Sequence, residues 1–337
     1  MIPPGPRRFG LLAYGDPNID LVFAVDRAPA ADEKVLGRHL GRHAGGTAAN
    51  VACAAARLGL PTAAYGRVGR DDGDGDHLVA EFQRFGVAPQ WVRRVPGPCA
   101  TALILVEGDG EKALVYAPLP GWPLDTATLA PALEQSRIVY AMPYDLAEFD
   151  VVSRLARATG TLVAIDVEAA VAPGPERLAA LLPLSDIVFF NEGGFRAATG
   201  QPPTPEHART LLNQGPGLVV VTLGARGAIA VRGEESVIQP AFPARLVDAT
   251  GAGDCFNAAV LARLLHGDSL ADALRFAAAA ASLAITAIGA HAGFPDHAAV
   301  ASVLDTPAPE ANNTGQVHGD VSPHDAGPAP YPFQKGQ

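Results

Sequence analysis

Short apolar runs rich in β-branched residues alternate with Ala- and Leu-rich stretches of helical period along most of the 337-residue chain. Residues 9–14, 62–68, 137–141, 161–166, 186–190 and 218–223 read as strands whose successive positions are apolar, the pattern of a strand covered on both faces. Residues 47–58, 75–85, 146–159 and 204–213 carry helical patterns between them. Strand and helix in alternation predict an α/β, doubly wound, mainly parallel sheet with helices on both faces and right-handed crossovers.

Two stretches break this rhythm. Residues 18–26 and 34–43 are strand-like with no helix between them, and so are residues 100–107 and 112–117, joined by Gly108-Asp109-Gly110 as a hairpin turn. Four strands outside the alternating body predict a small separate β-sheet placed as a lid; extra strands on the edge of the main sheet are the other reading. Two long helices, 253–266 and 269–288, follow. From about Asp305 the chain turns to Pro, Gly and polar residues without period. The expectation is therefore one domain over residues 1–304 and a disordered tail over 305–337. His318 and His324 in that tail are isolated and predict no metal site.

Composition narrows the function. The formal net charge is −10, which repels phosphate backbones and anionic lipid and argues against nucleic acid or membrane as partner. Only Lys34, Lys112 and Lys335 are lysines, so a bound phosphate must draw on arginine or main-chain amides. Cys53, Cys99 and Cys255 are far apart, without a C-x-x-C pair, which fits a reducing compartment. The first residues lack the apolar core of a signal peptide. The most apolar stretch, residues 277–290, falls short of the ~18 residues that span a bilayer. A cytoplasmic location is expected.

Three motifs carry chemistry. Asp248-Ala-Thr250-Gly251-Ala252-Gly253-Asp254 runs directly into an apolar helix. Small residues there let the backbone approach a ligand, and unpaired amides at a helix start can cradle an anion. A carboxylate beside such a cradle makes sense if Asp254 takes a proton from an attacking hydroxyl; ordinary N-capping by Asp254 is the alternative. Gly45-Gly46-Thr47-Ala48-Ala49-Asn50 opens a second helix, with Asn50 one turn in. Asn18 and Asp20 follow the first strand, where ligands bind in open α/β sheets. Thr222-Leu223-Gly224-Ala225-Arg226-Gly227 is a strand end and a glycine turn, with neither a P-loop lysine nor a dinucleotide fingerprint.

With G-G-x-x-x-N near the N-terminus, D-x-T-G-A-G-D at the C-terminal end and T-x-G-x-x-G between them, residues 9–295 resemble the ribokinase-like (PfkB) family of carbohydrate and nucleoside kinases. The resemblance implies a β lid over the substrate, ATP as co-substrate and Mg2+. It implies Asp254 as general base, with Gly251, Ala252, Gly253 and the Asp254 amide as anion hole. Asn18, Asp20, Gly45, Gly46 and Asn50 would hold sugar hydroxyls, and Asn191, Thr222, Gly224 and Gly227 would border the nucleotide. Some members bind a monovalent cation such as K+ near the segments matching Asp248, Thr250 and Gly289.

Two positions depart from the family pattern. Where N-x-x-E is common, with its Glu serving magnesium, Asn191-Glu192-Gly193-Gly194 ends in glycine, so either Glu192 compensates or the metal is held through water and phosphate alone. Ala278 stands where many relatives carry an asparagine near adenine. The function expected is phosphorylation of a hydroxyl, a primary one, on a small sugar or sugar acid. The alternatives are a nucleoside kinase and a non-catalytic sugar sensor on the same fold. The lid strands, with the apolar runs DLVFAV and TALILV, predict a homodimer paired through the lid.

Overall fold

The computed structural model describes residues 7–305 apart from 109–111 and 122. In chain order the first elements are β1 (Phe9–Tyr14), β2 (Asn18–Val25), β3 (Gly37–Gly45), α1 (Thr47–Arg57), β4 (Thr62–Gly69), α2 (Asp74–Phe85) and β5 (Ala88–Val95). They are followed by β6 (Ala100–Val106), β7 (Lys112–Ala117), α3 (Thr126–Glu134), β8 (Ser136–Ala141), α4 (Leu146–Thr159), β9 (Leu162–Val167) and α5 (Pro175–Leu181). The last are β10 (Ile187–Asn191), α6 (Glu192–Thr199), α7 (Pro205–Leu212), β11 (Leu218–Thr222), β12 (Ala228–Arg232), β13 (Glu235–Gln239), α8 (Ala252–His266), α9 (Leu270–Ala284) and α10 (His297–Asp305).

Nine strands form one sheet in the order β13-β12-β11-β10-β9-β8-β1-β4-β5, parallel except at β11–β12 and β12–β13. Alternate side chains divide between two cores. Leu11, Ile138, Tyr140 and Phe189 pack under α1, α8 and α9, while Leu12, Val139, Ile165 and Phe190 pack under the helices of the other face. That is why these strands read as unbroken apolar runs. The edge strand β5, with Arg93 and Arg94 half-exposed or exposed, lacks such a run and so escapes the pattern. The chain winds outward from β1 in both directions, so the strand order switches between β1 and β8, where open α/β sheets bind ligands.

The lid is a separate sheet in the order β3-β2-β6-β7. Its two outer pairs are antiparallel, and β2 joins β6 in parallel. All four strands meet the body at one end, where Asn18 pairs with both Gly45 and Ala100. Asp20, Ala102, Ile104, Leu114 and Tyr116 share the face toward the body and line a cleft. Val22 packs on that inner side with Ile104, whereas Leu21, Leu103 and Val115 stand opposite one another on the outer side.

One helix end differs from expectation: α9 stops at Ala284 instead of 288, where the Ile285 carbonyl accepts the Val247 and Asp248 amides at 2.8 and 3.2 Å. The tail expected over 305–337 lies outside the described residues but for Asp305, which ends α10, and Asp109 and Gly110 of the expected turn lie outside them too.

The missing glutamate has a steric cause. Asn191 caps α6, its Oδ1 accepting the Gly194 amide at 2.6 Å, and this presses Gly194 onto the end of β9. A Cβ at Gly194 would lie 2.1 Å from the Val167 carbonyl oxygen and 2.9 Å from the Glu168 Cα. Gly194→Ala is expected to destabilise the protein by about 1–3 kcal/mol, the range for overpacking a tight contact. Chemical denaturation measures it, and an unchanged midpoint would rule out this packing.

Candidate active site

A cleft of roughly 1500 Å3 opens between the lid and the β1/β8 switch point. Asn18, Asp20, Gly46 and Asn50 share it with Thr250, Gly251 and Asp254, so the expected sugar and catalytic residues come together. Gly45 sits directly behind them: a Cβ there would fall 2.3 Å from Asp20 Oδ2, so only glycine lets β3 pass so close to that carboxylate. Asn18 Nδ2 donates to Asp20 Oδ1 at 2.6 Å. Burial raises the Asp20 carboxyl, with the Asn18 amide opposing.

The start of α8 settles how Asp254 is used locally. Its N-cap is Gly251, in the left-handed region at φ 80°, so Asp254 stands within the first turn and is not the cap. The Ala252 amide turns back onto the Ala249 carbonyl at 3.2 Å. Among the described residues, the amides of Gly253 and Asp254 have no backbone acceptor, the usual state of first-turn donors. They and the positive end of the helix dipole suit an anion.

Asp254 Oδ2 accepts a hydrogen bond from Asn50 Nδ2 at 2.7 Å. Burial pushes its carboxyl up to about 7, the Asn50 amide opposes this, and the charges of Glu168 and Asp20 add to the rise. A carboxylate poised near neutrality can accept a proton at working pH. Because Asn50 gives its amide to Asp254, its Oδ1 is left as acceptor, and His291 Nε2 lies 2.9 Å from it. The other ring nitrogen lies 3.0 Å from Glu81 Oε1. Hydrogen bonds from Arg84 and His291 hold the Glu81 carboxyl well below the usual carboxylate range. A chain of polar contacts thus runs from α2 to the candidate base.

The remaining expected residues lie elsewhere. Asn191 and Thr222 pair across β10 and β11, and Gly224 and Gly227 flank the turn that follows; none of the four lines the cleft. Ala278 is buried in the α8/α9 core. The Glu192 carboxylate is engaged by Arg196 at 3.0 Å and by Arg226, away from the cleft. Among the described residues no three His, Cys, Asp or Glu side chains gather as a ready-made metal site, and no helix is long and apolar enough to cross a membrane. All three cysteines are buried and free.

Several site residues escaped the sequence. Asp166 ends β9 and accepts hydrogen bonds from Tyr140 at 2.9 Å and Asn257 at 3.0 Å. Burial, then the charges of Glu168 and Asp254, push its carboxyl up to about 8. Glu168, just beyond, lines the cleft and is raised by burial. The signal was available: two acids close a parallel strand, Asp166-Val-Glu168, where ligands bind. Asp16 lines the cleft and holds Arg67, Oδ2 to Nη2 at 2.9 Å. Tyr14 and Tyr65 stack at 5.4 Å in the same wall.

Comparison with known proteins fits this geometry. The pfkB family carbohydrate kinase model matches residues 9–297. Ribokinase of Bacillus subtilis (strain 168) is 30% identical over 297 residues, covering 87% of this chain and 99% of the relative. A nucleoside kinase of Methanothermobacter thermautotrophicus is 27% identical, covering 85% of this chain and 92% of the relative. The structure of Arabidopsis thaliana ribokinase complexed with ribose and ATP superposes with a TM-score of 0.78 at 30% identity, covering 88% of this chain and 99% of that one. With the doubly wound sheet, the four-stranded lid and the sequence match in agreement, the chain belongs to the pfkB family of carbohydrate kinases.

Proposed function

We propose that this chain moves the γ-phosphoryl group of ATP to a primary hydroxyl of a small sugar or sugar acid, with Asp254 as base. The observation that carries the reading is the Asp254 carboxylate, held by Asn50 beside the first-turn amides of α8, at one end of a cleft walled by Asn18 and Asp20. The acceptor oxygen attacks phosphorus as its proton passes to Asp254, and the bond from phosphorus to the bridging oxygen breaks, leaving ADP. The amides of Gly253 and Asp254 stabilise charge on the transferring group, and one such donor is typically worth ~3 kcal/mol in the transition state. Asn50 keeps the carboxylate aimed, and the lid limits water.

Magnesium accompanies nucleotide phosphates and needs only one or two protein carboxylates. Glu168 fits that role: it borders the cleft, acts electrostatically on Asp254, and lies against Gly194 where the family glutamate has no room. Glu192, paired with two arginines, is not so placed. The ion, when bound, neutralises charge on the phosphates.

A nucleoside acceptor is the second reading. The stacked Tyr14–Tyr65 pair supports it, together with Tyr116 and Tyr144 in the same cleft, since aromatic faces hold bases. The volume also exceeds the upper end of typical small-molecule pockets, about 1,000 Å3. An ATP-consumption screen over pentoses, hexoses, sugar acids and nucleosides separates the two: turnover confined to nucleosides overturns the sugar assignment.

The base makes a linked pair of predictions. Activity requires ionised Asp254, so kcat/KM should rise with pH through an inflection near 7. Asp254→Asn should lose at least ~100-fold in turnover while retaining sugar binding. Its stability carries an independent sign. The folded carboxyl holds its proton to higher pH than the unfolded one, so this group destabilises the protein progressively from about pH 4 to about pH 7. Thermal unfolding of Asp254→Asn should therefore exceed that of the parent at pH 8 and approach it at pH 4. Near-normal turnover in the variant would falsify the base assignment.

The lid supports a symmetric dimer. Leu103 and Val115, the latter 64% exposed, face away from the cleft on a sheet whose outer strands β3 and β7 are edges, and a second lid would cover both. Sedimentation at micromolar concentration should give a dimer that Leu103→Lys or Val115→Lys dissociates. A monomeric parent ends this idea, and a dimer indifferent to both lysines moves the interface elsewhere.

A further inference from the structure

Lys112 opens β7 at the tip of the lid, paired with Val106, at the end opposite the Asn18–Gly45 base. Leu114 and Tyr116, the next residues on the same face of the strand, line the cleft, so the register of β7 aims Lys112 inward too. Its Nζ donates to Asp248 Oδ1 at 2.9 Å and to Thr250 Oγ1 at 2.6 Å. The lid therefore spans the acceptor cleft and ends on the loop that leads into α8.

Asp248 is fully engaged there. Oδ1 also accepts the Thr250 amide at 3.0 Å and the Thr250 hydroxyl at 2.7 Å, and Oδ2 accepts the Gly289 amide at 2.9 Å. Asp248, Thr250 and Gly289 are the positions to which the family resemblance assigned a monovalent cation. As arranged, an ammonium already occupies the Asp248 carboxylate oxygen and the Thr250 hydroxyl that a free cation would meet there. The residue type matters: of the 25 Lys and Arg side chains, only three are lysines. Where a cation is set against this loop the chain uses the compact ammonium, a point charge, and not the planar guanidinium.

We propose that Lys112 is a built-in monovalent cation, whose ammonium fixes Asp248 and Thr250, steadies the Gly251–Asp254 turn, and latches the lid tip to the body. Turnover is then independent of potassium, and the lid and the anion-binding turn are set by one contact. Lys112 acts as a positioning residue, through Asp248 and Thr250. The effect on turnover rests on the kinase reading; cation binding does not.

The test uses the full chain and Lys112→Met, each in potassium, sodium and tetramethylammonium chloride at constant ionic strength. The parent should show the same kcat in all three. Lys112→Met should lose on the order of 10²-fold in kcat, the size expected when reacting groups shift by about 1 Å, and potassium should restore part of it. Thermal unfolding supplies a readout without turnover, because a cation that binds only the folded state raises its midpoint. Potassium should raise the midpoint of Lys112→Met above that in tetramethylammonium and leave the parent unmoved. A parent activated and stabilised by potassium overturns the proposal, and so does a Lys112→Met variant with undiminished kcat or no potassium-dependent midpoint. If no acceptor is turned over at all, the kinase reading fails, while the unfolding midpoints still decide whether Lys112 replaces a cation.

Discussion

The hydrogen bond from Asn50 to Asp254 joins the beginnings of two helices separated by 204 positions in sequence, and the arrangement of the site depends on it. It can form only because α1 and α8 approach closely, which their facing alanines permit: Ala48, Ala52 and Ala55 on one helix, Ala258 and Ala259 on the other, all buried in one core. Larger side chains would push the helices apart and open that contact. The alanine-rich composition thus bears on the distance between the Asp254 carboxylate and the Asn50 amide.

The same contact explains the charge pattern around it. Asp20, Asp166, Glu168 and Asp254 crowd one end of the molecule, and burial raises each of their carboxyls. Such crowding costs stability in the isolated protein. Asp248 goes the other way, lowered by hydrogen bonds from Gly289, Thr250 and Lys112.

Much of the fold was legible because strands buried on both faces write themselves as apolar runs, and β1 and α4 fall on the expected residues. The edge strands β5 and β13 were not legible, since half their side chains meet solvent and the run is broken by Arg and Glu. Asp254, Asn50, Asn18 and Asp20 could be singled out because each lies in a local motif at the start of a helix or a strand. His291 and the partner of Lys112 could not be assigned that way. Their meaning comes from groups far along the chain: His291 meets Asn50 across 241 positions, and Lys112 meets Asp248 across 136. Gly194 shows the converse, a departure visible in sequence whose cause, the Val167 carbonyl, appears only in three dimensions.

The lid joins the body along one edge, and its inward side chains alternate with outward ones. Asn50 and Asp254 sit on helices of the body, while Ala102, Ile104, Leu114 and Tyr116 line the cleft from the lid. Exchange at these four positions alters the contour presented to a substrate without touching the hydrogen bonds of Asp254. A protein divided in this way can change what it phosphorylates in small evolutionary steps, each leaving the catalytic apparatus intact, which is a physical route by which one fold comes to serve many acceptors.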